Sequence, residues 1–191
     1  MFRNERRGFV LAGCVVIGLG AYTSQAELVT NGGFESGSFA PWFAPPWVLP
    51  PQPNPQYFVV SSGGAHSGNH YAILSSSTFQ YISQVLPTTA GTDYELTFWL
   101  RRPGNVPSTF IVRWEGQIVF QEGILLPDNT NWWQFTVPLH SNITGSFLEL
   151  GQATFPNEFH IDDISVVQVP GPGGAALFAA AGAFALRRRR R

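Results

Sequence analysis

The central part of this sequence predicts an all-β fold, an antiparallel β-sandwich of the jelly-roll kind, and three observations lead there. Short segments along it alternate in polarity or are enriched in β-branched and aromatic residues. Glycine, proline and asparagine separate them, the turn chemistry of many short antiparallel strands. No window of comparable length carries the three-to-four-residue apolar period of a globular helix.

The expected strands, in chain order, are 57–60, 71–74, 79–86, 94–101, 109–115, 117–121, 132–137, 146–150 and 159–167. In 94–101, Tyr94, Leu96, Phe98 and Leu100 share one phase and Glu95, Thr97, Trp99 and Arg101 the other, as a half-buried strand requires. Phe110, Val112 and Trp114 alternate with Ile111 and Arg113, and Glu115-Gly116 permits a tight turn into 117–121. Between residues 39 and 55 seven prolines interrupt any ladder. Proline lacks the donor that a central strand needs, so this stretch is expected as a stiffened loop on the sandwich, carrying Trp42, Phe43 and Trp47 either to pin it to the core or to offer a surface. Trp132 and Trp133, adjacent in a strand, must face opposite ways, so at least one is a candidate for the core.

The two ends read differently. Arg3, Arg6 and Arg7 form a basic head, an apolar run covers 9–22, and Ser24-Gln25-Ala26 precedes Glu27. That is the layout of a secretion signal, with removal expected after Ala26. Leu11-Ala12-Gly13-Cys14 has the form of a lipid-attachment box, yet only Phe9 and Val10 separate it from Gly8, whereas a signal's apolar region takes about 7–15 residues. Cys14, the one cysteine, is therefore expected to leave with the signal, and the exported domain must be held by its core or by a metal rather than by disulfides. At the other end Val169-Pro170-Gly171-Pro172 leads into a nearly polar-free run, 175–186, and five arginines. As a helix, 173–186 would reach about 21 Å against a bilayer core of about 30 Å. A transient membrane association is expected, with the arginines on the cytoplasmic side. The chain thus divides into a signal peptide, 1–26, a β-sandwich domain, 27–168, and a sorting or anchor segment, 169–191.

Charge follows the same division. Residues 27–169 carry three arginines against eleven carboxylates, a formal charge of −8 that the basic ends conceal in the whole-chain value of −1. Such a surface repels phosphate backbones and argues against nucleic acid, while leaving neutral ligands and divalent cations open.

Two resemblances add to this reading. Val169, Pro170 and Pro172, the run 175–186 and Arg187 to Arg191 resemble the PEP-CTERM sorting signal, although Gly171 stands where that family usually has glutamate. The resemblance implies a bacterial cell-surface or secreted destination and a membrane peptidase as processing partner. Asn31-Gly32-Gly33-Phe34-Glu35, Ser67-Gly68, Tyr71-Ala72, Ile82-Ser83-Gln84 and Ile161-Asp162-Asp163-Ile164 resemble, in order and separation, galactose-binding-like jelly rolls of the carbohydrate-binding-module type. That resemblance implies chain ends lying close together and a structural calcium ion, Ca2+, between the opening motif and the closing acidic pair. The implied ligands are the carboxylates of Glu35 and Asp162, with carbonyls from Gly33 and from residues near 66–68; calcium takes six to eight hard oxygens.

Catalysis finds little support. The serine clusters at 61–62 and 75–77 lack a nucleophile elbow, and glycines 63, 64 and 68 argue against the helix that would join His66 to His70 in a zinc site. Sugar binding would instead use exposed rings flanked by hydrogen-bonding groups. Trp42, Trp47 and Trp99 are the leading candidates among six tryptophans, Trp99 because it occupies the polar phase of its strand. The expected function is an exported, non-catalytic surface or matrix module whose partner is a polysaccharide or other glycan. The competing readings are a structural or adhesive protein with a protein partner, and a small secreted hydrolase.

Overall fold

The structure, a computed structural model, describes residues 25–46, 56–104, 108–122, 131–153 and 158–170. The expectations for the signal, the sorting segment and Trp47 fall outside these residues. Nine strands form, β1 (Gln56–Ser62), β2 (His70–Ser76), β3 (Gln80–Leu86), β4 (Thr92–Arg101), β5 (Phe110–Trp114), β6 (Gln117–Glu122), β7 (Trp133–Ser141), β8 (Ser146–Gln152) and β9 (Phe159–Gln168). Each falls on a segment that the sequence singles out, and among the described residues there is no helix. Every strand pairing is antiparallel, in two sheets ordered β1-β2-β9-β4-β7 and β3-β8-β5-β6. The fold is an antiparallel β-sandwich of the jelly-roll kind.

Alternation explains the two layers. Tyr94, Leu96, Phe98 and Leu100 of β4 are buried against Phe110, Val112 and Trp114 of β5, with Leu148, Leu150, Phe159 and Ile161 completing the core. A large apolar side chain removed from water in this way contributes roughly 1.5–3 kcal/mol. Glu115 and Gly116 both have positive φ (51° and 79°) and join Trp114 to Gln117 by a two-residue turn, the backbone twist that matches the strands it links.

Two local features position the candidate site. The register of β4 against β9 shifts between Thr97 and Trp99, where β9 carries one extra residue, and Asp163 takes a φ of 48°. In a regular strand Asp162 and Asp163 would point to opposite faces; with this bulge both carboxylates bond to the 66–67 loop. The opening segment lies along the other end of β9. Glu27 bridges Val167, Leu28 N–H donates to Val166 O, and Ile164 N–H donates to Gly32 O. A Cβ on Gly32 would come 1.9 Å from the Ile164 carbonyl oxygen, so only glycine allows the chain's beginning to meet its last strand here.

Candidate functional site

Two loops meet the β9 bulge beside that seam. Asn31, with a φ of 56°, folds the 31–40 turn through bonds from its amide Nδ2 to Ser36 Oγ, Ser38 O and Ala40 O. This turn delivers Glu35, whose Oε1 accepts the backbone N–H groups of Asn69 (2.9 Å) and His70 (2.8 Å). Asp162 Oδ2 accepts those of His66 (2.8 Å) and Ser67 (3.3 Å), and Oδ1 that of Asp163 (2.8 Å). Asp163 accepts from Ser67 Oγ (2.7 Å) and from His66 Nδ1 (2.6 Å). Gly33 lies in the middle: a Cβ there would stand 3.4 Å from Asp163 Oδ1, 3.6 Å from Asp162 Oδ1 and 3.9 Å from Glu35 Cγ.

The carboxylates differ electrostatically. The N–H groups of His70 and Asn69 hold Glu35 below the ordinary carboxylate range. Asp162, 0 % exposed, is pushed up to about 6, first by burial and then by the charge of Asp163, against the lowering effect of its backbone bonds. Glu35, Asp162 and Gly33 are thus brought together, but among the described residues no three acidic, histidine or cysteine side chains form a metal-holding group. A cation at this junction would need carbonyl or water oxygens in addition to the carboxylates. The carboxylates of Glu35 and Asp162 are oxygen donors of the kind a hard ion takes.

A second cluster covers the outer face of the five-stranded sheet. Trp99 points outward from β4, half-buried, with the ring of His66 stacked on it at 3.6 Å between centroids and 15° between planes. Two residues on in the same phase, Arg101 lies over the rings of Trp132 (4.6 Å) and Tyr71 (5.4 Å). Arg101 Nη2 donates to His160 Nδ1 (2.9 Å). A guanidinium has no acceptor, so Nδ1 carries no proton and the proton on Nε2 bonds Glu158 Oε1 (2.6 Å). Trp132 Nε1–H donates to Gly64 O (3.3 Å). Rings, a cation and a carboxylate therefore share one face, with Tyr71 and the fixed imidazole of His160 buried beneath them.

The tryptophans correct the sequence reading in part. Trp42 is no ligand platform: it is 5 % exposed, packs on Phe34, and its indole N–H donates to Asn31 O. It pins the loop to the core, while its neighbour Phe43 faces outward, 71 % exposed. Trp99 faces outward as its phase requires, with His66 over one side of the ring. Neither Trp132 nor Trp133 joins the core cluster, against the expectation for the pair. Arg101, His160, Glu158, Tyr71 and Trp132 escaped sequence reasoning as a group. Their only sequence signals are the two-residue spacings 99/101 and 158/160; cross-strand register, which brings β4, β9 and β2 together, was not readable.

Two grooves, of about 780 and 460 Å3, lie instead against the four-stranded sheet on either side of Phe43, with Val85, Phe147, Tyr81 and several prolines in their walls. They contain no tryptophan. For a hydroxyl-rich ligand, indole rings beside a guanidinium without an ion partner are the better match.

No protein-family model matches the sequence, and neither does any curated protein sequence. Solved structures do match in fold. The chain resembles the CBM22-1 xylan-binding domain of Xyn10C from Paenibacillus barcinonensis at 14 % identity with a TM-score of 0.58, covering 79 % of this chain and 99 % of that one. TmCBM61, solved with β-1,4-galactotriose, matches at 18 % identity and 0.54, covering 75 % and 99 %. The CBM22-1-GH10 modules of the Clostridium thermocellum xylanase Xyn10B, solved with xylohexaose, match at 11 % and 0.57, over 78 % of this chain but only 29 % of that longer one. At these identities the likeness establishes the sandwich fold, one shared with carbohydrate-binding modules.

Proposed function

We propose that this chain is an exported, non-catalytic surface or matrix module that binds glycan on the outer face of its five-stranded sheet. The observation that carries the reading is the grouping of the half-buried Trp99, Trp132, Arg101 and Glu158, supported from beneath by the buried Tyr71 and His160, on a fold shared with a xylan-binding domain and with a module solved with β-1,4-galactotriose. Rings stack on the apolar faces of sugars while fixed polar groups read their hydroxyls. Export follows from a signal peptide at 1–26, and sorting from the segment 169–191 and a membrane peptidase acting on it; residues 27–168 are the working domain. A structural calcium ion at Glu35 and Asp162, with carbonyl oxygen from Gly33 and from the 66–68 loop, would hold the two loops to β9. Bound to the native state alone, it raises stability by mass action.

A glycan array probed with the full chain tests the reading. Binding to β-linked polysaccharide, reduced by Trp132→Ala, is expected. An array without signal, together with capture of a protein ligand that Phe43→Ala abolishes, would support the second reading, an adhesive protein, which the exposure of Phe43 between two grooves favours.

A further inference from the structure

We infer that Arg101 makes this site selective for acidic glycans, chains bearing a uronic-acid carboxylate; the inference rests on the glycan-binding reading of the same face. The domain is strongly acidic and holds three arginines. Arg113 has Glu149 as its ion partner at 3.6 Å. Arg101 has none among the described residues: its one hydrogen-bond partner is the neutral His160, and the rest of its support is two aromatic faces. Its Nε is buried without a partner. A half-buried cation kept from an anion is costly, and ring faces compensate only in part.

The surroundings keep this guanidinium fixed and approachable. Glu158, which could have neutralised it, is held at the opposite nitrogen of the imidazole. Gly64, with a φ of +87°, runs beside it, and a Cβ there would meet Nη2 at 3.8 Å and Nη1 at 3.9 Å. The absent side chain leaves room next to both terminal nitrogens. A sugar hydroxyl would satisfy one N–H, whereas a carboxylate matches the guanidinium fork with two parallel charge-assisted bonds. The acidity of the domain as a whole does not forbid such a ligand, since charges beyond about 8 Å are largely screened at physiological ionic strength.

The test is titration calorimetry of the full chain with matched pairs of oligosaccharides on β-1,4-xylan and β-1,4-galactan backbones. One member of each pair carries a single uronic acid, and the other has that carboxyl reduced to the alcohol. The uronate form is expected to bind about tenfold tighter, with the preference shrinking in 1 M salt and vanishing in Arg101→Gln. Equal affinity for the two forms would overturn this inference and leave glycan binding intact. Absence of binding by both would overturn the inference and the underlying reading together. A preference that survives Arg101→Gln would remove Arg101 from the role. The comparison of ligands on the unaltered chain stands even if the variant does not fold.

Discussion

The two sheets handle carboxylates in opposite ways. In the four-stranded sheet Glu115 sits in the β5–β6 turn and clamps the β7–β8 turn: its oxygens accept from Ser141 Oγ, Ser146 Oγ, the backbone N–H groups of Asn142 and Ile143, and Asn142 Nδ2. Burial pushes this carboxyl up, but the bonds from Asn142, Ser146 and Ile143 outweigh it and the group ends below its ordinary range. In the five-stranded sheet Asp162 is also bonded to backbone N–H groups but, unlike Glu115, fully buried, and it ends at about 6 because desolvation, with the charge of a second carboxylate added, outweighs three bonds. One carboxylate is fully served by neutral protein donors. The other is left wanting positive charge, and it borders the aromatic face through the stack of His66 on Trp99.

The outer faces differ in the same sense. On the four-stranded side the exposed Phe43, Val85 and Phe147 adjoin an arginine, Arg113, already paired with Glu149, while on the five-stranded side Trp99 and Trp132 adjoin Arg101, which has no ion partner among the described residues. The largest expected effect therefore concerns ligand: Trp132→Ala should weaken glycan binding by about tenfold or more, and Phe43→Ala should leave it within about twofold. Titration of the two variants side by side checks this, and the reverse order would exchange the roles of the faces.

Next in size is Glu115→Gln, which removes the charge that five donor groups face and should destabilise the domain by roughly 1–3 kcal/mol in denaturant unfolding. That loss should be the same in calcium and in chelator. Glu35→Gln should behave oppositely: a glutamine oxygen can still accept the Asn69 and His70 N–H groups that both bond Oε1, so stability in chelator changes little. What should disappear is the rise in thermal midpoint on adding calcium. A rise that persists would take Glu35 out of any cation site.

The smallest effect is on pH dependence. Asp162 has a folded value, about 6, above its unfolded one, so its contribution is fully present below about pH 4 and is lost as pH rises through 6. Glu115 lies below its unfolded value, so its contribution is present above about pH 4.5 and is lost as pH falls through the lower folded value. Thermal midpoints in chelator should accordingly drop between about pH 4 and 7 as Asp162 ionises, and calcium should flatten that drop by favouring the ionised carboxylate. A calcium-insensitive profile would contradict the proposed difference between the two anchors.

Local pattern carried the strands. Alternation in β4 and the Glu115-Gly116 turn follow from side-chain period and from φ, both properties of neighbouring residues. The acidic junction was reached through motif order, and Glu35, Asp162 and Gly33 do meet. The bonds between Glu35 and the 69–70 backbone, and the bulge that turns Asp163 beside Asp162, could not be read in advance, because a one-residue register shift has no signature in composition. Trp42 misled for a related reason: a tryptophan in a proline-rich loop reads as surface, and only packing on Phe34 reveals it as core.

The indole N–H groups offer the most direct measurement. Trp42 and Trp114 donate theirs to Asn31 O and His140 O from buried positions, whereas Trp132 donates to Gly64 O on the outer face beside Arg101. In a nitrogen-15 spectrum of the protein titrated with β-1,4-linked oligosaccharide, the Trp132 and Trp99 indole signals should shift with a common saturation curve while those of Trp42 and Trp114 stay in place. Saturable binding that leaves Trp99 and Trp132 unmoved, with shifts confined to Phe43, Val85 and Phe147, would contradict the assignment of the glycan to the five-stranded face.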